Sequence, residues 1–183
     1  MKKTILTIIL ATSLLCHSVK ATPAEDFQQT KAKAEQGDAW AQLHLSDYYR
    51  NGEVVERNYA EALKWARKAA DQNDPLAQYI IACFYSEGWG VEKNEAESFK
   101  WHLKAAYNGL DMSQKAVARH YYLSDVLNGV DSNAVESYAW LNIAAKRDKE
   151  SAQNRDNMEK WMTKEQIAAA QKRALELSAQ IRK

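Results

Sequence analysis

Histidine, cysteine and paired carboxylates are the side chains from which this sequence could build a reactive centre, and their spacing argues against one. Three histidines, His44, His102 and His120, lie in the body of the chain, none of them in a His-Glu-x-x-His or Cys/His metal spacing. No Ser-x-x-Lys, no Gly-x-Ser-x-Gly and no phosphate-cradling glycine loop is present. Glu61, Glu97 and Glu136 each follow an asparagine (Asn58, Asn94, Asn133) by three residues. That is the spacing of a capping box, so these carboxylates are expected to close helix ends rather than to move protons. No catalytic, cofactor-binding or metal-binding residue is assigned, and the chain reads as non-enzymatic.

What remains is binding chemistry carried by aromatic and basic side chains, and these recur at a fixed interval. Ala41-Gln42, Ala77-Gln78 and Ser113-Gln114 are 36 residues apart, as are Tyr49, Tyr85 and Tyr121. Gly52 and Gly88, and Trp65 and Trp101, keep the same step. Self-similarity at this period is the mark of stacked helical repeats. Each repeat carries two helix signals. In the second, Asp74 caps a helix whose first position is Pro75, and Gly88 stops it. A second helix opens at Asn94 and carries Trp101 and Ala105-Ala106. Each asparagine cap is worth about 1 kcal/mol. Leu45/Ile81/Val117 and Tyr49/Tyr85/Tyr121 stand at i and i+4 on the first helices and so share a core face. Trp65, Trp101 and Trp140 read as packing residues on the second helices.

The third repeat holds three extra residues between Tyr121 and Val130, nearly one helical turn, which predicts a longer first helix stopping at Asn128-Gly129. A degenerate fourth unit begins near Asp148, and its second helix starts at Thr163, with Gln166 completing a capping box, and runs to about Ala179. At the other end Pro23 to Gln36 reads as a lone helix. Atypical end units are what a solenoid needs, because they expose a face that internal repeats bury.

Residues 1–21 read as a cleaved signal peptide. Lys2 and Lys3 precede an apolar run of 12 residues, Thr4 to Leu15, too short to span a bilayer as a helix. Val19-Lys20-Ala21 places the expected cleavage before Thr22. Cys16 offers a lipoprotein alternative, disfavoured by the large Leu15 before it. Loss of Lys2, Lys3 and Lys20 leaves 22 basic against 24 acidic residues, a net charge of −2, without the basic stripe of a nucleic-acid binder. Cys83 is then the sole cysteine, as a packed helix residue or, alternatively, for an intermolecular disulfide. With 46% hydrophobic residues, 6 Gly and 2 Pro, the remainder reads as one unit with short loops. The expected divisions are 22–36 for the N-terminal cap, 37–72, 73–108 and 109–147 for three repeats, and 148–183 for the degenerate repeat and C-terminal cap.

The skeleton Ala-Gln, Leu/Ile, small, Tyr, Gly88-Trp89-Gly90-Val91, Asn, Trp and Ala-Ala resembles that of Sel-one-like repeats over about Ala34 to Arg147. The Met162 to Ile167 tail resembles the terminal helix of bacterial members. The resemblance implies an all-α, right-handed α/α solenoid, related to tetratricopeptide repeats, with three helix-turn-helix units, a degenerate fourth and capping helices. It also implies protein–protein interaction, as a periplasmic or secreted bacterial adaptor, with no stable membrane insertion after signal cleavage. Some members brace each helix pair with paired cysteines, which this chain lacks. Some relatives have been described as β-lactamases, but the nucleophile motif for that activity is missing here. The alternatives are an immunity protein that neutralises a secreted antibacterial toxin and, more remotely, a hydrolase of an envelope substrate. The partner is therefore another protein, an envelope component or a toxin.

On the first helix of repeat one, a second set of residues lies about 150° from the core stripe at 100° per residue: Trp40, Leu43, Asp47 and Arg50. Its counterparts are Leu76, Tyr79, Cys83 and Ser86, then Met112, Lys115, Arg119 and Tyr122. By resemblance to tetratricopeptide geometry this set lines a concave groove, apolar at one end and charged at the other. The expected partner-binding residues are Trp40, Leu43, Asp47, Tyr79, Lys115, Arg119 and Tyr122, joined by the loop residue Trp89. The competing expectation is that the apolar members pack against neighbouring helices and that Trp89 folds under as filler.

Overall fold

The computed structural model describes residues 22–128 and 133–181. Nine helices and no strands occur among them. They are α1 (Pro23–Glu35), α2 (Ala39–Asn51), α3 (Tyr59–Asp71), α4 (Pro75–Glu87), α5 (Glu95–Tyr107), α6 (Asp111–Asn128), α7 (Ala134–Ala144), α8 (Lys149–Met158) and α9 (Lys164–Gln180). Helices α2/α3, α4/α5 and α6/α7 form the three repeat pairs, and α9 returns onto α7. The long α6, the lone α1 and the end of α9 fall where the sequence places them. The signal-like segment 1–21 and the expected stop at Gly129 lie outside the described residues.

Local chemistry explains why the helices begin and end where they do. Asp38 and Asp74 accept from the backbone amides of Ala41 and Ala77 at 2.7 and 2.8 Å, and Asp148 does the same for Ser151 at 2.9 Å. Gly52 and Gly88 close α2 and α4 in the left-handed region, both with φ 74°. Beyond them, the amides of Asn58 and Asn94 donate to Tyr49 and Tyr85 carbonyls at 2.8 and 2.9 Å, so the two loops are copies. Gly90 has a different duty. With φ 67°, a Cβ there would lie 2.8 Å from the Tyr59 carbonyl carbon and 2.9 Å from the Ala60 nitrogen, so the Gly-x-Gly loop seats one repeat directly on the backbone of the preceding one.

The asparagine caps require a correction. Asn58 and Asn94 do accept from Glu61 and Glu97 amides at 3.0 Å. The glutamates do not reach back; they pair with Lys64 and Lys100 one turn on, at 3.0 and 2.6 Å. Reciprocal boxes form only at Thr22/Glu25 and Thr163/Gln166 among the described helices. Asn133 makes no side-chain cap: its φ −118° and ψ 4° depart from the extended conformation of the other caps, and Glu136 pairs with Arg173 of α9 at 2.6 Å. The third repeat is thus tied to the C-terminal helix instead of being closed on itself.

The core divides into three buried clusters in chain order. Phe27, Ala34, Ala41, Leu45 and Trp65 form the first; Leu43, Leu63, Ile81 and Phe84 belong to the second; Val117, Tyr138, Trp140, Met158 and Leu177 belong to the third. Ser46, Ala82 and Ala118, the small positions of the first helices, are fully buried, allowing close helix approach.

A buried amide joins the clusters. Gln42, Gln78 and Gln114 are 5, 3 and 6% exposed. Gln42 donates to the Ala34 carbonyl at 3.2 Å, and Gln114 to the Ala106 carbonyl at 3.3 Å, each in the last turn of the preceding helix. Gln42 accepts from Gln72, and Gln78 from Asn108, both at 2.9 Å, each donor being the C-cap of the second helix of the same repeat. One side chain thereby touches three helices.

Two substitutions test these contacts. Gln42→Leu keeps the volume but removes two hydrogen bonds, the donation to the Ala34 carbonyl, which keeps only the Gly37 amide, and the acceptance from Gln72, and urea unfolding should show a loss of about 1–3 kcal/mol. Gly90→Ala and Gly37→Ala share the cost of a positive φ, but no atom lies within 4 Å of a Cβ at Gly37. The Gly90 variant should therefore be the less stable of the two by about 1–3 kcal/mol.

Candidate interaction surface and histidine cleft

Helices α2, α4 and α6 carry the expected groove residues, and the structure sorts them. Trp40, Leu76 and Met112 occupy the same position in the three helices and are exposed at 61, 40 and 47%. An apolar side chain is thus presented to solvent once per repeat, and Trp40 lies stacked on His44 with ring centroids 3.8 Å apart. Scattered exposed apolar residues are ordinary, whereas three at one register position form a row.

Leu43 is not part of that surface. It is buried in the second core cluster, which takes in Leu63 of its partner helix α3 and Ile81 of the next repeat. Tyr122 is half-buried against the third cluster. Trp89 stacks on Tyr59 at 5.5 Å with rings 9° from parallel and meets Phe84 edge-on at 5.9 Å, so the loop indole packs onto the preceding repeat while keeping one part exposed. Asp47 is taken up by Arg50 at 2.8 Å, and Lys115 by Asp148 of the fourth unit at 2.7 Å. Arg119 is exposed and forms no ion pair among the described residues.

Tyr79 is half-buried and leans on His102 with centroids 5.6 Å apart. It also shares a hydrogen bond with Cys83, whose charge is the main reason the Tyr79 phenol is raised. Burial pushes the Cys83 thiol up, against the Tyr79 hydrogen bond and the nearby Arg50 charge, with Glu87 adding to the rise. Cys83 is half-buried, and a thiol held protonated is a poor nucleophile.

Beyond Tyr79 the chain forms a cleft of about 530 Å³ between the end of α4, the start of α5 and α6. His102, Arg119 and His120 line it together with Phe99. Burial lowers His102 most, with the positive charge of Arg119 and the neighbouring His120 adding to it and Glu95 opposing. Burial also lowers His120, again against Glu95. His120 stacks on Phe99 at 4.0 Å. Taken singly in the sequence these histidines carry no signal. Register does carry one: the residue after each repeat tryptophan is Ala66, His102 and Leu141, and the first and last of these are buried to within 1%. His102 is a polar ring in an apolar slot.

No group of three or more His, Cys, Asp or Glu side chains among the described residues could hold a metal ion. No described helix is long and apolar enough to cross a membrane.

The Sel1 repeat family matches residues 41–74, 75–110 and 112–149, more than half of the chain. The crystal structure of a Sel1 repeat protein from Oxalobacter formigenes is similar at 33% identity and TM-score 0.62, over 72% of this chain and 98% of that one. A protective antigen of uropathogenic Escherichia coli strains, displaying an SLR fold, is similar at 24% identity and TM-score 0.58. There 87% of this chain is covered but only 42% of the antigen, and the likeness is one of fold. No curated protein matches the chain.

The histidines make stability depend on pH in a defined direction. Both have folded-state pKa values below the unfolded value near 6.5, so the unfolded chain binds more protons in this range. Their contribution is present above about pH 6.5 and is lost as pH falls through the folded values. Asp148, held down to about 2 mainly by Lys115 and then by Ser151, gives a separate loss that begins as pH falls into the ordinary carboxylate range and is complete only below the folded value. Urea unfolding between pH 7.5 and 5 should show the first limb, and His102→Leu, which copies Leu141, should reduce it.

Proposed function

The chain belongs to the Sel1 repeat family, whose members are generally protein–protein interaction scaffolds, and we propose that it is a non-enzymatic adaptor of the bacterial cell envelope. It holds a partner protein along the face made by α2, α4 and α6. The observation that carries this reading is the exposed row Trp40, Leu76 and Met112, repeated once per unit beside Asp47, Tyr79 and Arg119. Aromatic and arginine side chains on an otherwise polar surface are the usual anchors of protein interfaces. The envelope location is supported by the basic-then-apolar pattern of residues 1–21, after which Thr22 at once caps α1.

Capture of the partner from periplasmic extract by the purified chain tests the proposal. Trp40→Ala and Met112→Ala should each weaken capture several-fold, as expected for anchors worth on the order of 1–2 kcal/mol. The unfolding midpoint should stay nearly unchanged, since both side chains are exposed. Capture unaffected by the pair together, or hydrolysis of an envelope substrate by the chain alone, would overturn it. A captured secreted toxin whose activity is blocked would identify the chain as an immunity protein using the same face.

A further inference from the structure

We propose that the cleft between α5 and α6 binds a carboxylate side chain of a partner polypeptide through Arg119, His102 and His120. The inference rests on the protein-binding reading above and names the chemistry of one contact within it.

Three observations carry it. Arg119 is a guanidinium on the cleft wall that forms no ion pair among the described residues, whereas the other basic residue there, Lys93, is tied to Glu95 at 3.2 Å. His102 is fixed from behind, its Nδ1 lying 3.4 Å from the hydroxyl of Ser113, which is fully buried, and its ring is braced by Tyr79. His120 is stacked on Phe99. Two imidazoles and a planar guanidinium therefore line one cleft with their rings already held, which lowers the ordering cost of binding. Its volume lies within the range usual for ligand clefts. Phe99 and the exposed Leu123 supply an apolar wall, so the ligand that fits is an acidic residue flanked by an apolar one.

The charges facing the histidines decide the sign. From α4 come Tyr79 and Glu87, from the following loop Lys93, from α5 Glu95 and from α6 Arg119. Lys93 and Arg119 balance Glu87 and Glu95, so the cleft is near neutral while both imidazoles are neutral. Protonation makes it positive, and an entering carboxylate favours that state. Binding and proton uptake are thus linked: a carboxylate should bind more tightly as pH falls from 7.5 towards 5.5.

Imidazole proton resonances of the full chain, assigned with single His44, His102 and His120 variants, give the test. The probe is a capped dipeptide, acetyl-Phe-Asp-amide, against acetyl-Phe-Asn-amide and inorganic phosphate. The aspartyl probe should raise the apparent pKa of His102 and His120 and leave His44 in place, and the asparaginyl probe should do neither. Arg119→Gln, at an exposed position, should weaken aspartyl binding about tenfold. No shift with the aspartyl probe, equal shifts with the asparaginyl probe, or undiminished binding by the Arg119 variant would overturn the proposal. Histidine shifts with phosphate alone would mark an inorganic-anion site and overturn it too. If the subsite fails while Trp40→Ala still weakens partner capture, the scaffold reading stands without it.

Discussion

A buried primary amide at one position of every repeat is the contact on which the solenoid depends. Gln42 and Gln114 each donate to the last turn of the helix before, and Gln42 and Gln78 accept from the C-cap of the second helix of their own repeat. Glutamine suits the position because its amide offers donors and an acceptor on one planar group. The carbonyls it satisfies lie at helix C-termini, where intrahelical partners run out. Each of these carbonyls also accepts from a backbone amide, Ala34 from Gly37 at 3.1 Å and Ala106 from Gly109 at 3.0 Å, and the glutamine supplies a second hydrogen bond worth about 0.5–1.5 kcal/mol. Apolar packing crosses the repeat boundaries, since the second cluster joins Leu63 to Ile81 and the third joins Ala106 to Val117, and the amides and the close seating of Gly90 on Tyr59 fix how the stacked pairs meet.

The ends of the stack show the same economy with different parts. At the N-terminus α1 lies on the face that an earlier repeat would cover; its Phe27 meets Tyr48 and Tyr49 edge-on and its Asp26 accepts from the Tyr48 hydroxyl. At the C-terminus α9 lies on α7, burying Ala170, Ala174 and Leu177, and Arg173 holds Glu136. The third repeat, lacking an asparagine cap bond, borrows stability from that helix.

Much of the fold was legible because helix stops and starts are local chemistry. Asp74-Pro75, Gly88 and Thr163 with Gln166 each act within a few residues, and each appears where the spacing puts it. The reach of Glu61 and Glu97 was not legible, since a lysine one turn on competes for the same carboxylate. Leu43 failed for a more general reason. A helical wheel assigns one buried face, but a solenoid helix is packed on two sides, as α2 is by α1 and α3, and Leu43 falls into a cluster that reaches the next repeat. Lys115 is likewise claimed by Asp148 from a unit that the repeat period barely marks. The pairing of His102 with His120 needed three dimensions, although the apolar neighbours of His102 in register already marked its slot as unusual.

The face made by α2, α4 and α6 has one row that repeats and one that does not. Trp40, Leu76 and Met112 are interchangeable in character, so they fix neither the register nor the polarity of a bound chain. One turn or two further along the same helices stand Asp47, Cys83 and Arg119, also 36 residues apart, running from acid through thiol to base. On the proposed reading, an extended ligand shifted by one repeat, or laid down backwards, would keep its apolar contacts and lose its contact with Arg119, because Asp47 is already paired with Arg50. If the face holds a partner as proposed, grip and direction belong to separate rows, and three similar units would present a surface that reads only one way.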